Sequence, residues 1–421
     1  MTTAIDTASP PIGVRFMGIT LSQVQAVLVW LMFASSFIVS IEPAPSDLLF
    51  LVVLATFLTS GLKFSAVVVP LVFYLLLYNL GGFFSFLQVS DDHRAMMFVI
   101  TSFYVAFAAI FFAFYIAHDP QRRMAIVKNA LVIAAVVASL LGILGYFNVA
   151  GFGEAFSLYS RAVSSFKDPN VFATYLLFPG LMLVQGFLLG TQRHKFISLI
   201  ALFLILAALF LAFSRGAWIS FVASSAMIAT LTFILTSSTQ MRSRIIFFTI
   251  FGVISLSVLL ALLLSSEGIR DLFLDRFTLV KEYDTGEKGR FGNQLNSIPL
   301  LLERPLGFGP TYFQKIFGLD PHNVYINAFA SYGWLGGISY FLLMISTITI
   351  GFKTVLMRTP WQNWAIVVFC PLLTTIFQGV QIDTDHWRHF YWMLGMMWGL
   401  FAASVAYSQK PAGTLDMGDR N

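Results

Sequence analysis

The chain has 421 residues, of which 58% are hydrophobic and 11% are charged, and its formal net charge is +5. A mean hydropathy of +0.81 and a charged fraction far below the roughly 25% usual in soluble domains exclude an ordinary soluble protein. The composition predicts a polytopic membrane protein, whose positive charge reflects membrane insertion and is no evidence for nucleic-acid binding.

Twelve apolar runs approach or exceed the roughly 20 residues that a helix needs to cross a hydrocarbon core. We expect these spans near residues 22–41, 46–61, 66–87, 95–117, 124–147, 170–189, 195–213, 216–236, 245–265, 323–352, 361–380 and 388–407. Lipid offers no hydrogen-bond partner to free backbone groups, and the runs lack the alternation of barrel strands. The sequence therefore predicts an all-α transmembrane bundle of about twelve spans, with residues 1–421 forming a single domain. The second run is short enough to be re-entrant.

Basic residues are concentrated on one side of this topology. If the N-terminus is cytoplasmic, the inner segments carry thirteen of them: Arg15, Lys63, Arg122, Arg123, Lys128, Arg193, Lys195, Arg242, Arg244, Lys353, Arg358, Lys410 and Arg420. The short outer loops carry five: Arg94, Arg161, Lys167, Arg215 and Arg388. This asymmetry is the positive-inside pattern and predicts that both termini are cytoplasmic.

One connection, residues 266–322 between the ninth and tenth spans, is much longer than the others and is predicted to be periplasmic. Long ordered loops are usually functional. Apolar residues recur here at helical spacing and predict an amphipathic helix: Ile269, Leu272, Phe273, Phe277 and Val280. A helix lying on the membrane surface and a solvated cap both fit this pattern, and the segment alone favours the cap.

The spans hold almost no ionisable side chains apart from Lys128, which argues against an ion-coupled transporter. The outer ends of the spans and the long loop instead carry arginines that are able to form one phosphate-binding pocket, because guanidinium groups donate paired hydrogen bonds: Arg161, Arg215 and Arg388 at span ends, and Arg290 in the loop. Arg161 and Arg388 are equally explained as headgroup anchors. Arg215 lies in a turn too short to be a solvated loop. Asp168 is expected mainly to cap the sixth span.

Four sequence patches, in this order, resemble the superfamily of O-antigen ligases and Wzy-type polysaccharide polymerases. They are RAVSSFKDPN at residues 161–170, FSRGA at 213–217, RFGN at 290–293 with ERPLGFG at 303–309, and His322-Asn323 followed by Gly333 and Gly336. The resemblance extends over roughly residues 150–400, and the last patch is its most specific part.

The resemblance implies a GT-C-like glycosyltransferase of the bacterial inner membrane. Such an enzyme transfers a glycan from a polyprenyl (undecaprenyl) diphosphate carrier to a glycan acceptor on the periplasmic face, without a nucleotide sugar, metal or other cofactor. Membrane lipids and other polysaccharide assembly proteins are the further expected partners.

Within this interpretation Arg215 and Arg290 are expected to bind the diphosphate and stabilise the leaving group, with Arg161 and Arg388 as weaker candidates. His322 is expected to act as general base in an inverting attack, because its ordinary pKa of about 6.5 suits that role. An isolated histidine here would more simply cap a helix or face headgroups. Asn323 is expected to orient the imidazole. Gly333 and Gly336 are expected to allow close helix packing.

The outer loop before the last span contains carboxylates and imidazoles that resemble a divalent-cation site: Asp383, Asp385, His386 and His389. Spacing alone is weak evidence for such a site. We interpret the loop instead as part of the acceptor entrance and expect no metal.

The outer segments contain sixteen Asp or Glu residues against twelve Lys or Arg. Since a phosphorylated lipid core should prefer a more basic docking surface, this balance favours a polymerase of repeat units over an O-antigen ligase acting on lipid A-core. A flippase or transporter would predict internal repeats and deep polar groups, and a scaffold protein would not need the arginines. These alternatives remain open at the level of sequence.

Overall fold

The structure is a computed structural model that describes residues 15–16, 19–236, 238–277, 286 and 289–409. These residues contain sixteen α-helices: α1 (Leu21–Ala34), α2 (Pro45–Ser60), α3 (Val69–Phe86), α4 (His93–His118), α5 (Pro120–Tyr146), α6 (Gly153–Phe156), α7 (Pro169–Leu189), α8 (Lys195–Leu211), α9 (Arg215–Leu235), α10 (Thr239–Leu264), α11 (Glu267–Phe277), α12 (Arg290–Leu302), α13 (Tyr312–Phe317), α14 (Val324–Leu356), α15 (Gln362–Gln378) and α16 (Arg388–Ser408). Short 3-10 helices cover Ala66–Val68, Leu87–Val89 and Val149–Gly151.

The described strands form two small antiparallel hairpins. Strands β1 (Arg15–Phe16) and β2 (Ile19–Thr20) pair with Arg15 opposite Thr20. Strands β3 (Ser157–Leu158) and β4 (Arg161–Ala162) pair with Leu158 opposite Arg161. The second hairpin matters for function because it fixes the backbone of Arg161.

Each of the twelve predicted runs contains one helix, so the prediction of a polytopic helical membrane protein is confirmed. Eight helices are long and apolar enough to cross a membrane by length and composition, counting α3 with its adjoining 3-10 turns. The other four apolar helices, α1, α2, α8 and α15, have 14 to 17 residues.

The tightest helix packing depends on small residues. Gly395 of α16 lies against the backbone oxygen of Ala109 in α4, where an added Cβ would collide. An added Cβ at Gly81 of α3 would lie 2.5 Å from the carbonyl oxygen of Tyr332 in α14. Small residues at such crossings let membrane helices approach closely. The resulting van der Waals contacts stabilise the bundle, because lipid provides no hydrophobic effect between helices.

Helix α14 is kinked at Gly333, whose φ of 65° is costly for other residues. The kink opens the helix backbone to the 303–309 segment: Phe308 N–H donates to Ala330 O at 2.8 Å, and Trp334 N–H donates to Pro305 O at 2.8 Å. The expected close helix packing is wrong for Gly333, which lies instead against the non-helical 303–309 segment: a Cβ at Gly333 would lie 2.5 Å from Pro305 O. Gly336 does pack against another helix, since a Cβ there would lie 3.2 Å from the carbonyl oxygen of Tyr78 in α3.

The long connection between the ninth and tenth spans contains α11, α12 and α13. Helix α11 confirms the predicted helix as far as Phe277, while Val280 lies outside the described residues, as do Lys410 and Arg420. Ile269 is buried. The ring of Phe273 stacks on Phe210 at 5.8 Å and on Trp218 at 5.7 Å, so α11 is packed onto α8 and α9.

Candidate functional site

A cavity of about 690 Å³ lies where five helices begin. The described residues that line it are Arg161, Asp168, Asn170, Val171, Phe213, Ser214, Arg215, Gly216, Ile219, Arg290, Phe291, Leu319, His322, Gln378, Gln381, Ile382, Asp383 and Trp387. It therefore brings together four of the six predicted site residues, namely Arg161, Arg215, Arg290 and His322.

Arg161 enters the cavity wall from β4 and is buried, with 7% of its surface exposed. Its Nε donates to Ala212 O at 2.7 Å, and one terminal nitrogen donates to the side-chain oxygen of Asn170 at 2.9 Å. These bonds tie the hairpin to the end of α8 and the start of α7. A guanidinium fixed in this way is preorganised, so it loses little entropy when it meets an anion.

Arg215 and Arg290 are each the first residue of their helices, α9 and α12. Arg290 donates to Gln381 O at 3.5 Å, and its guanidinium lies 4.8 Å from the ring centre of Phe291. Gly216, which follows Arg215, lies close to Gln378: a Cβ there would be 2.9 Å from the side-chain nitrogen of Gln378.

Helix N-termini reinforce these cations. The first turns of α7, α9 and α12 contribute lining residues, α16 contributes its N-cap residue Trp387, and His322 immediately precedes the N-cap of α14. The helix dipole gives each N-terminus a partial positive charge. Asp168 caps α7 and Asn323 caps α14, so side-chain oxygens already accept the first N–H groups of these two helices. Three arginines, together with the N-termini of α9, α12 and α16, which have no side-chain cap, suit an anion such as a diphosphate.

The turn that carries His322 is held by a carboxylate from another loop. Asp383 accepts the backbone N–H of His322 at 3.1 Å and that of Asn323 at 3.0 Å. His322 has a φ of 46°, in the left-handed region that a non-glycine residue adopts at a cost. Val324 N–H donates to Gly379 O at 2.8 Å, which ties the same turn to the end of α15.

Asp383 is itself an unusual carboxyl group. Burial raises the pKa of Asp383 well above its usual range, and the neighbouring Asp385 and Asp320 carboxylates raise it further. The two backbone N–H donors act in the opposite direction. Its position outside the helices, between α15 and α16, places it at the rim of the cavity beside His322.

Asn323 is not among the described lining residues. It is the N-cap of α14, and its side-chain oxygen accepts the N–H groups of Tyr325 at 3.0 Å and Ile326 at 3.2 Å. The side-chain oxygen of Asn323 thus caps α14, while the expected contact with substrate or with the imidazole stays a prediction. Asp168 caps α7 similarly, as predicted, by accepting from Asn170 and Val171.

Arg388 also lies apart from the main cavity. Its Nε donates to one oxygen of Asp47 at 2.8 Å and a terminal nitrogen donates to the other at 2.7 Å, in a two-point ion pair that joins α16 to α2. It lines a neighbouring cavity of about 180 Å³, which shares Asp168, Val171 and Trp387 with the main one. Asp47 holds its guanidinium in this ion pair, and the expected contact with the diphosphate stays a prediction.

The carboxylates and imidazoles between Asp383 and His389 contact different parts of the molecule. Asp385 accepts from the side-chain amide of Asn327 at 3.0 Å and lies 3.2 Å from Nδ1 of His386. Nε2 of His386 lies 3.0 Å from Phe98 O. His389 is buried beside Trp387, with ring centres 5.4 Å apart. Within the described residues, no group of three or more His, Cys, Asp or Glu side chains is arranged to hold a metal ion.

Because both ring nitrogens of His386 face acceptor oxygens, the protonated imidazole satisfies both contacts. Burial alone would lower the pKa of His386, but the charge and hydrogen bond of Asp385 raise it above its ordinary value of 6.5. Asp385 and His386 therefore form an ion pair within the same loop that contains Asp383.

The comparison with known families addresses the same region. Residues 200–341 match the family model described as O-Antigen ligase. The match includes the patches around Arg215, Arg290 and His322, and it ends eight residues beyond Gly333. It is narrower than the expected 150–400 and does not include Arg161. No curated protein matches the chain.

This O-antigen ligase segment confirms the resemblance seen in the motifs, and it supports a general role in polysaccharide polymerisation or ligation at a membrane. The segment runs from α8 to the kinked part of α14, so it contains the main cationic wall of the cavity. The lining residues from β4, from α7 and from the region between α15 and α16 lie outside the matched segment.

Sequence reasoning missed Gln378, Gln381 and Trp387 as lining residues. Gln378 ends α15, and its side chain contacts Ser220 and Thr174 at 3.4 Å each. No charge or motif marks these residues. The sequence did draw attention to Asp383, but as a possible cation ligand and not as the group that holds the His322 turn.

Proposed function

We propose that the protein is an inverting glycosyltransferase that acts on a polyprenyl-diphosphate-linked glycan at the periplasmic face of a bacterial inner membrane. The observation that carries this proposal is the single cavity shared by three arginines and His322. A diphosphate needs cationic donors, and a glycosyl acceptor needs a base within the same space. The O-antigen ligase match supports the class of reaction.

The donor diphosphate binds between Arg215, Arg290 and Arg161, with the helix N-termini adding partial positive charge. An acceptor hydroxyl oxygen attacks the anomeric carbon from the face opposite the diphosphate, and His322 takes the hydroxyl proton. The bond between the anomeric carbon and the diphosphate oxygen breaks, and the electron pair leaves with the polyprenyl diphosphate. The arginines stabilise that developing charge, which is where such groups contribute most to rate.

We favour polymerisation of carrier-linked repeat units. The acidic excess in the outer segments supports it, because a phosphorylated lipid core would be repelled. Ligation of a finished chain to lipid A-core is the second candidate, favoured by the description of the matching family. The two differ in which acceptor they use, while the donor site is the same.

The test is transfer in proteoliposomes that contain the purified protein, a carrier-linked repeat unit and, in a parallel reaction, lipid A-core. We expect His322→Ala and Arg215→Ala each to abolish chain growth while membrane insertion and thermal stability are retained. His194→Ala and Arg193→Ala, in the α7–α8 connection, are the matched controls and should keep full activity. Unchanged chain growth in both site variants would refute the enzyme proposal, and products only with lipid A-core would assign the ligase.

A further inference from the structure

Helix α10 is held loosely in the bundle. Among its described residues only Ile245 and Leu259 are buried. A cavity of about 480 Å³ separates it from α8, and both helices pack against α7. The walls of this cavity are mostly aliphatic and aromatic side chains, such as Leu199, Phe203 and Phe248. Because membrane helices associate through packing contacts, a molecule that fills this gap would stabilise α10.

Two cations lie at the end of the cavity that is farther from the candidate site. Lys195 is the first residue of α8, whereas Arg161 of the candidate site binds Ala212 O beyond the other end of that helix. Arg244 of α10 also lines the cavity and donates to Leu189 O at 3.2 Å. A guanidinium has five N–H donors, so this fixed group retains donors for an anion.

The protein itself supplies no counter-charge here. Residues 169–266 contain no Asp or Glu. In the part of the chain that the structure describes, neither Lys195 nor Arg244 forms an ion pair. Arg193 and Arg242 lie in the same two connections and add further positive charge. The anion that balances these groups therefore comes from outside the chain, and headgroup phosphates are the anions found at the membrane surface.

The length of the cavity fits the chain of a lipid from one leaflet. Its lining residues on α8 run from Lys195 to Leu206, which is about 16 Å at a rise of about 1.5 Å per residue. One leaflet is about half of the roughly 30 Å hydrocarbon core. A lipid with its phosphate at Lys195 and Arg244 therefore has an acyl chain of the right reach. A donor held by Arg215 has its phosphates at the opposite end of α8.

We infer that the cavity between α8 and α10 binds an anionic phospholipid from the leaflet opposite the candidate site. Its phosphate contacts Lys195 and Arg244, and one acyl chain lies between the two helices. The bound lipid completes the packing of α10, which leads through α11 to Arg290 at the start of α12. This inference goes beyond the proposed glycosyl transfer and does not depend on it.

Two pairs of variants separate the lipid site from general effects of charge and size. Lys195→Gln removes a charge from the cavity, whereas Lys353→Gln removes one from the exposed end of α14, outside the described lining. Ser255→Trp places an indole in the cavity. Ile254→Trp adds the same indole next to it, at a position that is 57% exposed and absent from the described lining.

The experiment titrates delipidated full-length protein in mild detergent with dioleoylphosphatidylglycerol or dioleoylphosphatidylcholine. Native mass spectrometry counts the bound lipids, and thermal unfolding gives Tm. We expect one phosphatidylglycerol per chain, bound at least tenfold more tightly than phosphatidylcholine, because two basic residues contact the phosphate. Lys195→Gln should weaken phosphatidylglycerol binding about fivefold, and Ser255→Trp should abolish both the bound lipid and the rise in Tm. Lys353→Gln and Ile254→Trp should behave like wild type.

Several results would overturn the inference. Equal affinity for the two lipids, or equal effects of Lys195→Gln and Lys353→Gln, would show that no headgroup site exists. A rise in Tm with inorganic phosphate alone that matches the rise with phosphatidylglycerol would mean a free-anion site. Displacement of the bound lipid by a polyprenyl diphosphate would assign the cavity to the donor, and a lipid-free dimer would assign it to a second copy. None of these readouts requires turnover, so each leaves the proposed transfer reaction to its own assay.

Discussion

Asp383 holds the backbone N–H of His322 at 3.1 Å from a position 61 residues further along the chain. The second oxygen of the same carboxylate accepts from the next residue, Asn323. The imidazole of His322 is thus presented on a left-handed turn whose geometry is set by another loop. A substitution that disturbs this turn should therefore change kcat more than it changes KM.

Asp383→Ala should lower kcat for glycan transfer by about 5- to 100-fold, since it removes two hydrogen bonds that contribute about 0.5–1.5 kcal/mol each. The donor KM should change little, because the arginines remain. Asp383→Asn keeps one acceptor oxygen and should fall between wild type and Asp383→Ala. Steady-state kinetics on the three proteins checks this, and a rise in KM with unchanged kcat would contradict a positioning role.

Arg215→Lys and Arg290→Lys should each reduce kcat/KM by at least about tenfold, although the charge is kept. Lysine cannot present the paired, planar donors that fit a phosphate, and loss of one donor to a developing charge costs about 10²–10³ in kcat. Arg270→Lys, on the exposed face of α11, is the control and should behave like wild type. Equal activity of all three variants would show that only net charge matters at this site.

Arg388→Ala should destabilise the fold by up to about 3–5 kcal/mol, the range for a buried ion pair that loses one partner. The side chains of Arg388 and Asp47 are 24% and 11% exposed, so solvent reduces the effect below that upper limit. Asp47→Ala with Arg388→Ala should recover part of the loss. Thermal unfolding in detergent measures both, and a donor KM effect without a change in Tm would instead assign Arg388 to substrate.

The ion pair of His386 and Asp385 predicts a stability that depends on pH. Because the folded pKa of His386 is raised above 6.5, its contribution is complete below the unfolded pKa and is lost as pH rises through the folded value. The Tm of the wild type should therefore fall on going from about pH 6 to alkaline pH, and His386→Gln should flatten that slope. An identical slope in His386→Gln would assign it to other groups.

Gly333→Ala should lower stability by about 1–3 kcal/mol, because alanine at positive φ is strained and its Cβ would meet Pro305 O. Gly252→Ala is the matched control: its Cβ is unobstructed, and alanine is the better helix former by about 1 kcal/mol. The two variants should shift Tm in opposite directions. A neutral Gly333→Ala would mean that the 303–309 segment is not anchored at the kink.

The sequence was sufficient for features that depend on local pattern. Apolar run length predicted the twelve apolar helices, eight of which are long enough to cross a membrane. The order of polar patches between them predicted that Arg161, Arg215, Arg290 and His322 share one end of the bundle. Arg388 occurs at that same end but is held by Asp47, a partner 341 residues away. Such ion pairs depend on which helices pack together, and the pattern of a single sequence does not show that.

The same limit explains the roles of Asn323 and Asp383. An asparagine beside a histidine suggests an orienting amide, yet the turn geometry commits its oxygen to the first N–H groups of α14. The loop between α15 and α16 provides the Asp383 carboxyl group that holds the backbone of the His322 turn. Carboxylates near imidazoles suggested a cation site there, because spacing does not distinguish ligands that converge from ligands that point apart.

The convergence of helix N-termini and three guanidinium groups has a kinetic consequence for the proposed reaction. Polyprenyl diphosphate carries at least as much negative charge after the sugar has departed as before, so we expect the cavity to retain the spent carrier at least as firmly as the incoming one. On the proposed mechanism, escape of this by-product into the bilayer would then limit turnover, and added salt would accelerate it.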